Sequence, residues 1–460
     1  MIRVCNLYIP SRKLLLLAGD CCLLAIAFIL LLEPRTPANP AAAIQIYGMV
    51  LLASVLGIWA FYLSDLYEDE TLRSNHALLV SGLRGLGISA LLFSPLIWLM
   101  SRGAVRVHPV EPVLAAVLVL LYLQRWVSEW WQRRMSRGQR LLLVGSGATV
   151  QRLSGELAGR CCLPLKLAGI VVDHDRPVPE DLRFAVVGSL NKLRDLARFF
   201  RPDRIVISSE IGVSAAPAAD FLALRLVGIQ VQDAGELYES VTGRVPVESV
   251  RANGLAFGAA LVPSRWKRSI HRAASFVSAL VLAILFAPVG LLVSLLIKLD
   301  SPGPVFYCQE RVGMGGRIFR VLKFRSMRVD AESASGPVWA VSRDTRVTRI
   351  GGLLRILRLD ELPQLINVLR GEMCLVGPRP ERPHFVRMLE EEIAYYDLRH
   401  CIPPGLTGWA QVSAEYGSNV EESRTKLEYD LFYVKNASLF FDAFILVKTI
   451  KIIIYGRGAR

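Results

Sequence analysis

The chain has 460 residues, 53% of them hydrophobic, and its 54 Lys and Arg against 40 Asp and Glu give a net charge of +14. It is too long for one typical domain and too apolar for an ordinary soluble enzyme, so the composition indicates a membrane protein. The positive charge suits anionic lipid headgroups, phosphorylated substrates or nucleic acid, and does not choose among them.

Four apolar segments come first, at about 14–32, 44–64, 80–101 and 112–131, each near the ~20 residues that a bilayer core requires. Arg84 lies inside the third segment, and Arg125 and Glu129 lie inside the fourth, which weakens the last two predictions. Basic residues precede the first segment and follow the fourth, so both ends are expected on the cytoplasmic side. Residues 1–135 are therefore predicted to form four transmembrane helices.

Residues 136–255 alternate short apolar runs with polar helical segments. The runs are "RLLLVGSG", "LAGIVVD", "RFAVVGS", "DRIVISSE" and "LVGIQVQD". This alternation predicts a Rossmann-like domain with a parallel sheet. The "GSGATV" turn resembles a dinucleotide-binding loop, but Val150 stands where the third glycine is expected. The pattern favours a domain that kept the fold and not the cofactor.

A fifth apolar segment runs without charge from Ala273 to Ile297 and is flanked by basic residues on both sides. A spanning helix should leave one flank poor in Lys and Arg. Pro288 also removes a helical hydrogen bond near the middle of the segment. We therefore expect residues 256–298 to form a linker and a re-entrant helix that enters the membrane, bends and returns to the same face. A proline-kinked fifth span is the alternative.

Residues 299–460 form a mixed region that is rich in arginine and in glycine and proline turns. Within them, "RLDELPQL" places the adjacent acids Asp360 and Glu361 among many arginines. Asp360 could simply cap a helix that has Pro363 in its first turn and Gly371 just past its end. Alternatively, a carboxylate among phosphate-binding groups could hold a divalent cation against the phosphate, or could attack the phosphorus.

The segment 265–460 resembles the bacterial sugar transferase family, the monotopic phosphoglycosyl transferases. The motifs that carry the resemblance occur in family order: "SPGPVFY", "QERVG", "KFRSM", "DELPQL", "GPRPERP", "PGLTGWAQV" and "KLEYDLFYVKN". With its leading apolar segments and sheet domain, the chain looks like the long-form members that initiate exopolysaccharide assembly. "GPVWA" and "GRGAR" resemble a subgroup associated with exosortase-linked polysaccharide clusters.

The resemblance implies transfer of a sugar 1-phosphate from a UDP-sugar to a polyprenyl phosphate, undecaprenyl phosphate being favoured, with release of UMP. Asp360 would attack the β-phosphorus and form a covalent phosphosugar intermediate. Glu361 would help to hold Mg²⁺ or manage the acceptor's proton, and the metal would lie at this acidic pair. Further family positions would contact phosphates or substrate, namely Glu310, Lys323, Arg325, Arg355 and Arg379.

The same resemblance places the bend of the re-entrant helix at Ala287 and Pro288. It implies an enzyme of the bacterial inner membrane, in which residues 299–460 form an α/β-type catalytic domain on the cytoplasmic face. Membrane lipid would surround it, a homodimer is possible, and no nucleic-acid partner is expected. The sequence departs from the family pattern at several positions. Ala287 stands where Ser is frequent, His271 where Asp is common, and Glu372 and Cys374 where the family often has Asp and Ser. We expect His271 to be an interfacial residue.

Three other classes of protein are weighed against this one. A nucleotide-sugar dehydratase or epimerase needs Tyr-x-x-x-Lys, and none of the ten lysines has a tyrosine four residues before it. A glycosyltransferase is suggested by the Asp-x-Asp at Asp173 to Asp175, which a solvated loop also explains. A membrane scaffold or nucleotide sensor could recruit other proteins through residues 140–250.

Overall fold

The computed structural model describes most of the chain in fifteen ranges. These are residues 2–4, 7–9, 11–34, 40–68, 71, 75–101, 105–107, 110–135, 138–159, 165–172, 185–208, 218–247, 264–328, 346–414 and 419–455. The chain divides into two compact units. The first is mainly Tyr8–Arg140, and the second is mainly Leu141–Glu156 together with Leu167–Arg460. The Asp-x-Asp at 173–175 and the segments "GPVWA" and "GRGAR" lie outside the described residues.

The first unit is a group of long helices close to the predicted positions. They are α1 Ser11–Leu31, α2 Pro40–Leu63, α3 Asn75–Ser101 and α4 Val110–Met135, with short strands β1 Ile2–Val4, β2 Leu7–Ile9, β3 Leu32–Pro34 and β4 Val105–Val107. Of these helices, α3 over His76–Pro95 is long and apolar enough to cross a membrane within the described residues. The apolar stretches described in α2 and α4, Gly48–Leu63 and Ala115–Ser128, are shorter. Four membrane spans therefore stay a prediction.

The charges inside the apolar segments have a structural explanation. Arg125 of α4 is 1% exposed, and its guanidinium forms two hydrogen bonds to the carboxylate of Asp20 on α1, the longer at 2.6 Å. The hydroxyl of Tyr67 donates to the same carboxylate at 2.7 Å. Arg84 of α3 is exposed instead. The charge in the fourth segment is thus neutralised inside the unit, which is the usual arrangement for ions buried among apolar helices.

The second unit begins with the predicted sheet. Its strands are β5 Gln139–Val144, β6 Leu165–Val172, β7 Val186–Ser189, β8 Arg204–Ile207 and β9 Gln230–Asp233, in the order β7-β6-β5-β8-β9. The helices of this domain are α5 Ala148–Gly159, α6 Leu193–Phe200, α7 Ala218–Leu226 and α8 Ala234–Thr242. This strand order is that of a doubly wound nucleotide-binding sheet. In the "GSGATV" turn after β5, Gly145 has a φ of 129°. Val150, at the position where a third glycine is expected, is fully buried.

The sheet domain is joined to the rest of its unit by buried contacts. Val245 and Val247, just after α8, belong to the core of the C-terminal region. The indole of Trp409 donates to the carbonyl of Gly243 at 2.9 Å, and Arg152 of α5 donates to Glu428 at 2.6 Å. Glu428 is 2% exposed and Arg152 is partly exposed, so this ion pair joins the two parts at the edge of their contact.

The fifth apolar segment forms one helix, α9 Arg265–Asp300, which continues through Pro288. It is the second helix in the described residues that is long and apolar enough to cross a membrane. Only four of its side chains are buried, Ser275 and Ala279 in one arm and Val293 and Ile297 in the other. Each set is spaced four residues apart, so each arm presents one stripe to the C-terminal region. Leu282, Ala283 and Val289 are partly buried against the same region. Many of the other apolar side chains of α9 are exposed, among them Ile284, Leu285 and Leu291.

Both arms of α9 pack on the same region. In the first arm, the imidazole Nδ1 of His271 lies 2.8 Å from the carboxylate of Asp442. In the second arm, Val293 and Ile297 pack on Phe324. Contacts of both arms with one compact region favour the re-entrant arrangement, but the path through a membrane and the bend at Ala287 stay predictions.

The C-terminal region is mainly helical, and its sheets are small. Strands β10 Phe306–Val312 and β11 Ile318–Phe324 form an antiparallel hairpin, and β12 Cys374–Val376 pairs in parallel with β13 Gly405–Thr407. The helices are α10 Arg349–Ile356, α11 Gln364–Leu369, α12 Pro383–Glu392, α13 Trp409–Ser413, α14 Val420–Asn436 and α15 Leu439–Ile454. Short 3-10 segments cover Leu359–Glu361 and Tyr396–Cys401. Trp409 lies at the centre of the core, against Tyr429, Phe432 and Phe441.

Candidate active site

The acidic pair lies in the 3-10 turn Leu359–Glu361, between α10 and α11. Arg358, just before it, has a φ of 54°, a left-handed conformation that costs free energy for a non-glycine residue. The capping hypothesis for Asp360 is wrong in this structure, because the N-cap of α11 is Pro363 and no side chain caps it. Gly371 follows the helix with a φ of 76°, as predicted. The side chain of Asp360 therefore does not cap α11.

Glu361 is the better-bound member of the pair. One of its oxygens, Oε1, accepts a hydrogen bond from Arg379 at 2.6 Å and another from Lys323 Nζ at 3.1 Å. Burial disfavours the charged form, but the positive charges of Arg379 and Lys323 outweigh it and hold the pKa of Glu361 well below its usual range. Glu361 is therefore an ionised carboxylate shared by two cations.

Asp360 has the opposite environment. It is partly buried and makes no hydrogen bond or ion pair with any residue that the structure describes. Burial, and then the negative charge of Glu361, raise its pKa above the ordinary value of 3.8. The charges of Lys323, Arg355 and Arg379 oppose that rise. Two adjacent carboxyl groups thus have pKa values displaced in opposite directions, as acid–base and nucleophilic sites often do.

The hairpin brings Lys323 to the site and keeps Glu310 away from it. Side chains alternate between the two faces of a strand, and Lys323 pairs across the hairpin with Tyr307. Glu310 pairs with Arg320 and lies on the other face, where its exposed carboxylate is 3.8 Å from the Arg320 guanidinium. The structure therefore does not bring Glu310 together with the acidic pair.

Arg311, the residue after Glu310, lies on the same face of the hairpin as Lys323. The sequence analysis did not predict it as a site residue. Arg311 donates to the carbonyl of Pro380 at 3.1 Å, next to Arg379. Burial lowers the pKa of Arg311 to about 10, and the charge of Glu381 partly opposes this. The period-two alternation of β10, counted from Lys323 across the hairpin, is the signal that could have identified it.

Arg355 and Arg325, the two remaining arginines predicted for the site, differ in whether they lie near the acidic pair. Arg355, on α10, donates from Nε to the hydroxyl of Ser326 at 3.0 Å, and its charge acts on Asp360. Arg325 is 5% exposed and donates to the carbonyls of Ser301 and Pro302 at 2.6 and 2.7 Å. It ties the hairpin to the end of α9. Arg355 is thus part of the site, whereas the described bonds of Arg325 are structural.

The acidic pair fits a magnesium ion that is shared with a phosphate. No group of three His, Cys, Asp or Glu that could form a metal cage exists among the described residues. Mg²⁺ is commonly held by one or two carboxylates together with substrate phosphates. Asp360, whose oxygens accept no hydrogen bond from the described residues, suits that role better than Glu361, whose Oε1 already accepts from two cations.

These features define a class of site: a carboxylate that makes no hydrogen bond within the described residues, beside cations arranged for an anion, on a helical region with a long apolar helix. Comparison with known proteins agrees with it. The model of the family described as bacterial sugar transferase matches residues 266–456. The exopolysaccharide production protein PSS of Rhizobium leguminosarum bv. phaseoli is 42% identical over 189 residues, which cover 39% of this chain and 93% of that protein. The chain belongs to the bacterial sugar transferase family.

Two longer relatives extend the comparison. The UDP-N-acetylgalactosamine-undecaprenyl-phosphate N-acetylgalactosaminephosphotransferase of Aeromonas hydrophila is 44% identical over 235 residues, 51% of this chain. The undecaprenyl-phosphate glucose phosphotransferase of Komagataeibacter xylinus is 33% identical over 358 residues, 75% of this chain. The matches span 55% and 65% of the length of these two relatives. The second match is too long to be confined to the C-terminal region.

Proposed function

We propose that the protein transfers a sugar 1-phosphate from a UDP-sugar to a polyprenyl phosphate and releases UMP. The observation that carries the proposal is the contrast within the acidic pair. Glu361 is held by Arg379 and Lys323, while the carboxylate of Asp360 beside it makes no hydrogen bond or ion pair with the described part of the chain. The names of the relatives, which act on undecaprenyl phosphate, support the acceptor.

The proposed reaction has two displacement steps. In the first, an oxygen of Asp360 attacks the β-phosphorus of the UDP-sugar, and the bond from that phosphorus to the bridging oxygen of UMP breaks. In the second, a phosphate oxygen of the polyprenyl phosphate attacks the same phosphorus and the aspartyl bond breaks, which returns the carboxylate. The bond between the sugar and its phosphate oxygen stays intact throughout. A covalent intermediate of this type divides one transfer between two anions into two easier steps.

The neighbouring residues have separate roles in this proposal. Glu361 holds Arg379 and Lys323 in place, and these cations, with Arg355, stabilise the negative charge of the diphosphate. Arginine suits this task because its planar fork pairs with two phosphate oxygens at once. Mg²⁺, held by Asp360 together with substrate oxygens, would neutralise phosphate charge. An ionised Glu361 with a low pKa is a weak base, so its part is electrostatic.

The proposed place of the reaction is the cytoplasmic face of the bacterial inner membrane, and its proposed role is to initiate exopolysaccharide assembly. The exposed apolar surface of α9 supports contact with lipid acyl chains. Leu439, Phe440, Ile450 and Ile454 of α15 are exposed as well, which supports a helix that lies along the membrane surface. Substrate and polyprenyl phosphate would then meet at the membrane interface.

The test is release of UMP by the purified full chain with Mg²⁺ and undecaprenyl phosphate. UDP-N-acetylgalactosamine and UDP-glucose are the first donors to test, because relatives of the chain are named for these nucleotide sugars. We expect wild type to release UMP and Asp360→Asn to lose at least about a thousandfold in rate, since an amide cannot act as the nucleophile. Equal release by Asp360→Asn, or none by wild type from any UDP-sugar, would contradict the proposal.

A further inference from the structure

Arg399 lies behind the site and contacts the backbone of Arg379. It belongs to the 3-10 segment Tyr396–Cys401 and is 6% exposed. Its Nη2 donates a hydrogen bond to the carbonyl of Arg379 at 2.9 Å. The same guanidinium forms a 2.8 Å ion pair with Asp430 of α14, which is 1% exposed. It also donates to the hydroxyl of Tyr396. The proposed diphosphate-binding arginine is thus attached through its main chain to a second, fully buried arginine.

The segment that carries Arg379, residues 377–382, has no helix or strand, yet its backbone is held at successive positions. Four consecutive carbonyls each accept a hydrogen bond from a different place in the region. The donors are Gly405 N to Pro378 at 2.9 Å, Arg399 to Arg379 at 2.9 Å, Arg311 to Pro380 at 3.1 Å and Val312 N to Glu381 at 2.9 Å. The side-chain donors, Arg311 and Arg399, hold the two central carbonyls. A loop fixed in this way can present its arginine in one orientation.

The pair of Arg399 and Asp430 is costly as a purely stabilising device. A buried ion pair repays its loss of hydration only in part, so replacement by apolar residues is often neutral. The charged and titratable groups around Asp430 are Arg399, Tyr396, Glu381 and Lys426. Burial raises the pKa of Asp430 to about 6, and the charge of Arg399 opposes this. A specific geometric task explains why so poorly hydrated a pair would be placed here.

We propose that Arg399, held by Asp430, is a positioning residue for the transfer reaction: it fixes the main chain of Arg379 so that the Arg379 guanidinium meets Glu361 and the diphosphate. This inference rests on the proposed function. Asp430 is two residues from Glu428, the partner of Arg152 in the sheet domain. The sheet domain and the positioning pair are therefore anchored to the same helix, α14.

The test is a double-mutant cycle on UMP release, with Arg399→Gln and Arg379→Lys in the full chain. If Arg399 acts through Arg379, Arg399→Gln lowers kcat/KM about 10- to 100-fold in the wild-type background and less than about threefold in Arg379→Lys. Arg399→Lys, which keeps the charge, should recover part of the loss. Asp430→Asn should behave like a milder Arg399→Gln.

Arg325→Gln is the matched control, because Arg325 is also buried and also donates to backbone carbonyls, but away from this loop. Its effect should be the same factor in both backgrounds. The same cycle on the affinity for UDP with Mg²⁺, measured by calorimetry, needs no turnover. An Arg399→Gln protein that is as active as wild type, or that loses the same factor in both backgrounds, overturns the inference. Wild type without UMP release would instead refute the proposed function.

Discussion

Arg379 donates a 2.6 Å hydrogen bond to Glu361 across 18 residues of sequence. Lys323 reaches the same carboxylate oxygen from the hairpin. Two separate elements therefore converge on one anion, while the adjacent Asp360 side chain makes no hydrogen bond or ion pair with the residues that the structure describes. Removing one partner of a buried, charge-assisted contact leaves the others without a counter-charge, so each member of this group is expected to be sensitive to substitution.

Glu361→Gln should lower the rate of UMP release by about a hundredfold or more, because Arg379 and Lys323 lose the anion that holds them. The matched control is Glu310→Gln, the same change on the outer face of the hairpin, where Glu310 is exposed. We expect Glu310→Gln to match wild type in kcat and KM. A loss in Glu310→Gln comparable to that in Glu361→Gln would show that substrate contacts both faces of the hairpin.

The rate of UMP release should have an acid limb that belongs to Asp360. A nucleophilic carboxylate acts when ionised, and burial and Glu361 raise the pKa of Asp360 above 3.8. The rate therefore rises as the pH increases through that raised pKa. The measurement is kcat/KM against pH, which reports groups of the free enzyme. The acid limb should persist in Asp430→Asn, which removes another carboxyl group whose pKa is raised by burial. Loss of the limb in that variant would assign it to Asp430.

A basic limb should belong to Lys323. Burial lowers the pKa of Lys323 below its ordinary 10.5, and Glu361 opposes this only in part. The rate should fall as the pH rises through that lowered pKa, because the ammonium loses its charge. Lys323→Arg replaces it with a guanidinium that stays protonated. We expect Lys323→Arg to lack the basic limb, even if its maximal rate is lower, and an unchanged limb would mean that another group causes it.

Two neighbouring glycines of α10 should respond differently to alanine. A Cβ on Gly351 would lie 2.0 Å from the carbonyl oxygen of Ser326, whereas a Cβ on Gly352 meets nothing within 4 Å. Gly351→Ala should cost about 1–3 kcal/mol of stability. Gly352→Ala should raise stability by up to about 1 kcal/mol, because alanine favours the helix. Thermal unfolding in detergent measures both. Equal effects would mean that α10 does not approach Ser326 so closely.

The buried pair of Asp20 and Arg125 offers a test of the helical unit. Arg125→Met should cost about 3–5 kcal/mol, because it leaves the carboxylate of Asp20 buried without its counter-ion. Asp20→Leu combined with Arg125→Met should recover most of that loss. Arg84→Met, on the exposed face of α3, is the control and should change little. Thermal unfolding in detergent separates the cases, and a double variant as unstable as Arg125→Met would contradict the assignment.

Much of the architecture follows from local pattern. The five strands of the sheet domain and the four N-terminal helices lie within a few residues of their predicted places, because hydrophobic periodicity and Gly or Pro boundaries are local signals. The acidic pair was also identified from the sequence, as two acids within an arginine-rich stretch. The family membership of the chain was predicted from motifs in a fixed order, and the comparisons with known proteins confirm it.

Other features depend on contacts between distant segments. The sequence could not show that Arg325 binds the end of α9 while Arg311 lies beside Arg379, since both are arginines next to family motifs. Nor could it show that Glu310 faces outward, because the face of a strand is decided by its register with the partner strand. Asp20 and Asp430, the ion-pair partners of Arg125 and Arg399, likewise lie in other elements that are distant along the chain.

By itself, the sequence determined the family motifs and their order, the adjacent acids within an arginine-rich stretch and the positions of the apolar segments, because these are local patterns. Only the tertiary structure decided how the two acids differ. Asp360 and Glu361 are neighbours with similar intrinsic pKa values, and no local signal separates them. Arg379 and Lys323, brought from two other elements, bind the carboxylate of Glu361 and not that of Asp360. The pKa values of the two acids shift in opposite directions, because a pKa responds to the charges and the burial around its group.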